Sequence, residues 1–253
     1  MTEPIHKLSL LGHFQELRRR LIWSVIAVAV GTIICFTFRD WLIYYLKLPA
    51  GNPELIRTEV TEAISVYMRV SFFGGIALAM PVITYHAIMF ISPALLPHEK
   101  RYIYLVLPWI AIMFLGGVAF GYFVLLPPAL RFLFDFGSSV STPMFRLGNY
   151  ISVTTRLLLA IGLVFEMPVV STFLARIGII KPEWLASKRK IAAVIAFVVA
   201  AIITPTFDPV NQSLVAIPLI ILYEMSIWLA RLVYRRKREA LVEVEVEAPS
   251  EGA

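Results

Sequence analysis

Charge is what this sequence is short of. Of its 253 residues only 16% are Asp, Glu, Lys or Arg, whereas 59% come from the apolar set of Ala, Val, Ile, Leu, Met, Phe, Trp, Tyr and Cys. So few charges cannot cover the surface of a soluble chain of 28.5 kDa. That excludes a soluble enzyme, a nucleic-acid-binding domain and a disordered regulator. Cysteine is almost missing: Cys35 stands alone, so no intrachain disulfide or cysteine-based metal site can form. Histidine is sparse and scattered, at His6, His13, His86 and His98. His98-Glu99 opens like the zinc motif H-E-x-x-H, but Tyr102 stands where the second ligand would be. There is no G-x-S-x-G, no Walker A sequence and no pair of aspartates on facing spans. The expectation is therefore no enzyme, no metal and no cofactor.

What the sequence does have is apolar residues in long runs. At ~20 residues per helical crossing, they suffice for about six spans with little left over. The reading is an all-α integral membrane protein of six transmembrane helices, one polytopic domain over 1–235. Spans are expected at about 21–38, 70–91, 102–126, 153–175, 191–203 and 214–230. The first apolar run, Leu21 to Phe38, is too long for a signal-peptide core and no A-x-A site follows it, so it reads as a retained span. Ahead of it, Leu10, Phe14, Leu17 and Leu21 share one helix face, which predicts an amphipathic interfacial segment over 8–20. Trp41, Tyr44 and Tyr45 read as an interface anchor, and Pro49 with Gly51-Asn52-Pro53 as a turn. Pro81 predicts a kink in the second span, and Pro127-Pro128 an end to the third. Phe132, Phe134 and Phe136 predict a segment resting on the interface.

The fifth and sixth apolar runs are short, 13 residues from Ile191 to Ile203 and 17 from Leu214 to Ala230. Both should reach across only part of a ~30 Å hydrocarbon core. Residues 236–253, with Val and Glu alternating from Val242 to Glu247, read as a disordered acidic tail. The net charge of +6 is orientational rather than a nucleic-acid signal. With the N-terminus inside, the inner segments hold 16 Lys and Arg and the outer ones 7, which places both termini in the cytoplasm.

The acids are the candidates for function, because an ionisable group in lipid is costly. Glu166 is 10 residues from both Arg156 and Arg176, near the middle of the fourth span. It reads as a carboxyl satisfied by neighbouring helices, as a docking point for another helix or a translocating chain, or as part of a proton relay. Glu224 lies shallower, 7 residues before Arg231, and can snorkel. On the cytoplasmic face stand Glu16 and Glu99. Each has a bland reading, Glu16 pairing with Arg19 or Arg20 and Glu99 with Lys100 or Arg101. Together they could instead each take a guanidinium in a bidentate fork and so recognise two adjacent arginines.

Several of these residues fall into motifs. His13-Phe14-Gln15-Glu16-Leu17-Arg18-Arg19-Arg20-Leu21 resembles the H-x-x-E-L-R-x-R-L opening of TatC, the multi-spanning subunit of the twin-arginine protein translocase. Phe90-Ile91-Ser92-Pro93-Ala94-Leu95 followed by His98-Glu99-Lys100-Arg101 resembles that family's first cytoplasmic loop. Phe165-Glu166-Met167-Pro168 is similar to its F-E-x-P. Thr204-Pro205, Asp208, Gln212, Ala216-Ile217-Pro218 and Tyr223-Glu224 match its last hairpin. The likeness covers essentially residues 8–235, and Pro97 before His98 departs from it.

The resemblance implies a glove-like, concave bundle with short fifth and sixth helices in a bacterial inner membrane. It implies a receptor for twin-arginine signal peptides that works with TatA- and TatB-type single-span subunits, self-associates, and exports folded proteins on the protonmotive force. Glu16 and Glu99 would engage the twin arginines, with Arg18, Phe90, Pro93 and His98 shaping the surface. Glu166 and Glu224 would be polar points for a partner helix within the membrane, and Pro49, Asp208 and Gln212 outer-side structural residues. Two rival readings remain, a secondary carrier with Glu166 as its proton site and a passive scaffold. The carrier predicts repeated halves, and none is visible.

Overall fold

Helix is the only conformation in which an isolated apolar segment satisfies its own backbone in lipid, and it dominates here. The computed structural model describes residues 10–51, 53–91, 100–135, 144–204 and 208–247. In chain order the helices are α1 (Leu10–Thr37), α2 (Arg39–Lys47), α3 (Glu62–Ile91), α4 (Lys100–Phe120), α5 (Leu126–Asp135), α6 (Leu147–Phe165), α7 (Met167–Ile177), α8 (Pro182–Ser187), α9 (Arg189–Ile203) and α10 (Pro209–Glu247). Among the described residues five stretches are long and apolar enough to cross a membrane: Phe14–Thr37, Glu62–Phe90, Val106–Asp135, Leu147–Ile177 and Pro209–Arg235. A sixth apolar helix, α9, has 15 residues, about 22 Å at 1.5 Å per residue.

Several expectations are corrected. The segment expected to lead into the first span is the start of one continuous helix, α1, from Leu10. Pro127-Pro128 does not stop the third span. A wide turn at Gly121–Leu125 leads directly into α5, where Pro127 lies in the first helical turn and needs no donor. Phe134 is accordingly helical, its ring 4.1 Å from that of Phe145, while Phe136 lies outside the described residues. The last helix is not short: its apolar stretch is, but the backbone stays helical for 39 residues, through Glu224 and on to Glu247. Residues 236–247, expected to be disordered, continue it. The all-α expectation holds, the one extended pairing among the described residues being two residues of β1 (Leu55–Ile56) in parallel with two of β2 (Phe145–Arg146).

Without a hydrophobic drive between lipid-solvated helices, packing relies on close backbone approach. α1 and α3 meet at glycines: a Cβ added at Gly31 would lie 2.7 Å from the Gly75 carbonyl oxygen. α4 and α6 do likewise, since a Cβ at Gly117 would lie 2.7 Å from the Phe165 side chain. The main core joins Val66 and Val70 of α3, Leu126 and Leu130 of α5, Ile151, Leu157 and Ile161 of α6, and Ala200, Val215 and Leu219 of α9 and α10. A second cluster joins Ile88, Ile110 and Phe173, and a third joins Ala175, Leu185, Ile227 and Ala230. The apolar face of α1 outside these clusters remains exposed, as a lipid-facing surface requires.

The strand pair belongs to a polar clasp at the start of α3 and α6. Glu62 is 3% exposed. Its carboxylate accepts hydrogen bonds from the Thr58 amide at 2.8 Å, the Gly148 amide at 2.7 Å and Arg146 Nε at 3.1 Å. Arg146 also contacts Glu59 at 2.5 Å, and the two carboxylates, Glu59 first, raise its guanidinium pKa further. Arg69 donates to the Gly148 carbonyl at 3.1 Å. α2 is tied in by the hydroxyls of Tyr122 and Tyr150, which donate to the carbonyls of Tyr45 and Leu46 at 2.7 Å each. Glu62→Ala strips the acceptor from three amides, those of Thr58, Glu59 and Gly148, and from a guanidinium, and should lower the melting temperature by several degrees in detergent. Glu59→Ala, whose carboxylate is 60% exposed, should leave it nearly unchanged. Differential scanning fluorimetry distinguishes the two.

Candidate functional site

Among the polar groups that internal bonding does not fully use, two places coincide with residues the sequence singled out. The first lies beside Glu16. Glu16, Arg20 and Trp23 fall at i, i+4 and i+7 along α1, so one face carries all three. Oε1 of Glu16 accepts from Arg20 Nε at 3.0 Å and also from its Nη2. A cleft of about 580 Å³ opens here, with Glu16, Arg19, Arg20 and Trp23 on one wall and Tyr85 and His86 of α3 on the other. Nδ1 of His86 is buried without a hydrogen-bond partner among the described residues, and its ring lies 5.3 Å from that of Tyr85. The cleft thus combines a carboxylate already holding a guanidinium with flat aromatic surfaces on which a guanidinium can stack.

Arg18 is exposed on the same helix but on a different face. Phe90 is half-buried near the end of α3, one turn beyond His86. Pro93, His98 and Glu99 lie outside the described residues. Trp23, Tyr85 and His86 were not singled out as site residues by the sequence. The i, i+7 spacing from Glu16 could have identified Trp23, whereas Tyr85 and His86 join only because α1 packs on α3.

The second place is Glu166, the single residue between α6 and α7. Pro168 has no N–H to donate to the carbonyl four residues back, and the helix breaks at this point. The break is compact, since the Glu166 amide donates to the Leu163 carbonyl at 3.1 Å and the Glu166 carbonyl accepts from Val170 at 2.9 Å. The side chain is 5% exposed. Oε2 accepts from the Thr84 hydroxyl at 2.8 Å, while Oε1 is buried with no partner among the described residues. A buried polar atom without a partner is costly, so Oε1 is a standing invitation to a donor. Thr84, a polar residue two places before His86 in a charge-free run, was the signal missed.

The remaining candidates make contacts within the chain. Glu224 takes Arg189 in a bidentate fork at 2.7 and 2.9 Å, joining α10 to α9, on a half-exposed surface. Asp208 caps α10, accepting from the Asn211 amide at 2.7 Å with Pro209 at the first helical position. Gln212 donates to the Phe197 carbonyl at 3.0 Å and so bridges α10 to α9. Pro49 sits in the tight turn Leu48–Ala50, which Gly51 closes with φ of 74°. Among the described residues no group of three or more metal-ligating side chains is found.

Comparison with known proteins bears on this arrangement. Residues 12–218 match the family model described as Sec-independent protein translocase protein (TatC). The chain is 39% identical over 228 residues to the Sec-independent protein translocase protein TatC of Carboxydothermus hydrogenoformans, covering 89% of this chain and 94% of that one. It is 43% identical over 236 residues to that of Aquifex aeolicus, covering 91% and 98%. A crystal structure of a twin-arginine translocase receptor, TatC, superposes with a TM-score of 0.79 at 42% identity, over 87% of this chain and 99% of that one. This multi-pass, almost entirely helical membrane protein is thus a protein-translocase component and not an enzyme: it belongs to the TatC family.

Proposed function

We propose that this chain is the signal-peptide receptor of a twin-arginine translocase in a bacterial inner membrane. In this reading six helices cross the bilayer: the five long stretches and the shorter α9. The even number puts both termini on one side, the Lys and Arg distribution makes that side the cytoplasm, and the bundle is glove-like with a concave face. Single-span TatA- and TatB-type subunits assemble with it, copies of the chain self-associate, and the protonmotive force drives folded cargo across.

The observation that carries the reading is Glu16 gripping the Arg20 guanidinium in an aromatic-walled cleft at the start of α1. Arg20 acts as a stand-in for a ligand arginine. An incoming arginine pair displaces it from Glu16 and extends to Glu99, with Arg18, Phe90, Pro93 and His98 bounding the surface. Selectivity rests on shape, since a guanidinium offers a planar fork of donors and an ammonium does not. The apolar part of the signal then lies along the bundle. Glu166, with one oxygen open, hydrogen-bonds a helix of the signal or of a partner subunit. Glu224, committed to Arg189, holds α9 against α10.

Photocrosslinking of a synthetic twin-arginine signal peptide to the purified protein tests the assignment. Glu16→Gln and Glu99→Gln should each weaken binding by about tenfold or more, the loss of a hydrogen bond to a charged group. A twin-lysine peptide should bind about tenfold more weakly to the unaltered protein, and Arg20→Gln, which frees Glu16, should strengthen binding of the twin-arginine one. Equal crosslinking after both glutamate substitutions would remove these residues from the receptor surface.

Glu166 separates the receptor from a carrier. Glu166→Leu should reduce export of a folded reporter severalfold and release a co-purifying partner subunit, while Glu166→Gln, which still hydrogen-bonds, should retain most of both. Loss of proton-coupled uptake of a small solute in Glu166→Gln, with export intact, would favour the carrier instead.

A further inference from the structure

The cleft beside Glu16 has two walls, and only one of them carries charge. Glu16, Arg19 and Arg20 of α1 face Tyr85 and His86 of α3 across a space of about 580 Å³. Glu16 and Arg20 are mostly enclosed, their side chains 23% and 18% exposed, so each is held by the other more than by water. A guanidinium has five N–H donors. A carboxylate fork uses two of them, and the rest need other acceptors.

His86 stands across the cleft from Arg20 for a reason of register. α1 and α3 cross in opposite directions and touch where a Cβ on Gly31 would meet the Gly75 carbonyl oxygen. Arg20 lies 11 residues before Gly31, and His86 lies 11 residues after Gly75. That spacing is close to three whole turns, about 16 Å along each axis, so both residues return to the contact face at one level. Thr84, two residues earlier, points the other way and donates to Glu166. Nδ1 of His86 is buried with no hydrogen-bond partner among the described residues. The residue is half-buried and lines the cleft, so its other ring edge meets the cavity.

We propose that His86 is a further arginine-binding residue of this cleft: as a neutral imidazole it accepts an N–H of the guanidinium seated on Glu16, and as an imidazolium it expels that guanidinium. This role rests on the receptor reading above and gives the same site a charge requirement. Among the described residues, the charged and titratable groups on the cleft are Glu16, Arg19 and Arg20 of α1, with Tyr85 beside His86 on α3. Two cations already face one carboxylate, so a third beside an arriving arginine is repulsive. A planar guanidinium reaches both walls at once, Glu16 with one edge and His86 with another. An ammonium gathers its three donors on a single atom and gains less from the second wall. Imidazole changes charge between pH 5 and 8, so the site empties as the pH falls.

The test is fluorescence anisotropy of a labelled, histidine-free twin-arginine signal peptide with the full chain in detergent, read from pH 8 down to pH 5. Binding to the unaltered protein should weaken about tenfold over that range. His86→Gln, whose amide oxygen accepts but does not titrate, should bind within about twofold of the unaltered protein at pH 8 and keep that affinity at pH 5. His86→Leu should bind about tenfold more weakly at pH 8, and its preference for the twin-arginine over a twin-lysine peptide should narrow about fivefold. The pH profile of His86→Gln carries the test even where His86→Leu fails to fold. A pH response that persists in His86→Gln belongs to another group and overturns the proposal, as does unchanged affinity and selectivity in His86→Leu. Glu16→Gln separates this role from the receptor reading. If it weakens binding at pH 8 while both His86 variants behave as the unaltered protein, the receptor reading stands and the role of His86 falls. If Glu16→Gln also binds unchanged, both fall.

Discussion

Hydrocarbon offers no hydrogen bonds, and that one constraint arranges nearly every polar group in this protein. The backbone answers it by remaining helical, even through Pro81, Pro108 and Pro218. Where it departs from a regular helix, partners are close by: the Glu166 break is closed by Leu163 and Val170, and the start of α6 by the Glu62 carboxylate. Charged side chains obey the same rule. Glu16 holds Arg20, Glu62 holds Arg146 and Glu224 holds Arg189. Against that background the incompletely partnered groups stand out. Oε1 of Glu166 is buried without a donor, and Nδ1 of His86 without a partner, among the described residues.

The same constraint shapes packing. Because lipid solvates apolar side chains as well as a core does, helices are held by backbone proximity at Gly31, Gly75 and Gly117 and by the clasp around Glu62. The clasp joins α3 to α6 at one end, and the Glu166–Thr84 bond joins them again deeper in the membrane. α9 is attached chiefly through α10, by Glu224–Arg189 toward one end and Gln212–Phe197 toward the other. Its shortness is tolerated because these polar ties substitute for buried area.

Much of this was legible from residue order. The apolar runs located the helices, since a crossing needs an unbroken apolar stretch whatever surrounds it. The 13-residue run from Ile191 anticipated the short α9, and Asp208 before Pro209 is a local capping signal that forms as written. Glu16 and Glu166 attracted attention because carboxylates are rare here. Boundaries were less legible. Pro127-Pro128 and the Val-Glu alternation after Val242 look like stops, yet helix continues through both, because a helix tolerates proline in its first turn and is not confined to the bilayer.

Residue order therefore decided which segments are apolar helices and which few charges go with them, because those follow from local transfer energies summed along the chain. It did not decide which charges meet. Glu62 with Arg146, Thr84 with Glu166, and Tyr85 and His86 opposite Glu16 are separated by roughly 60 to 85 positions and joined by helix packing. Pairings of that kind depend on the rotation and depth at which helices cross, which close glycine contacts and hydrogen bonds between distant segments set.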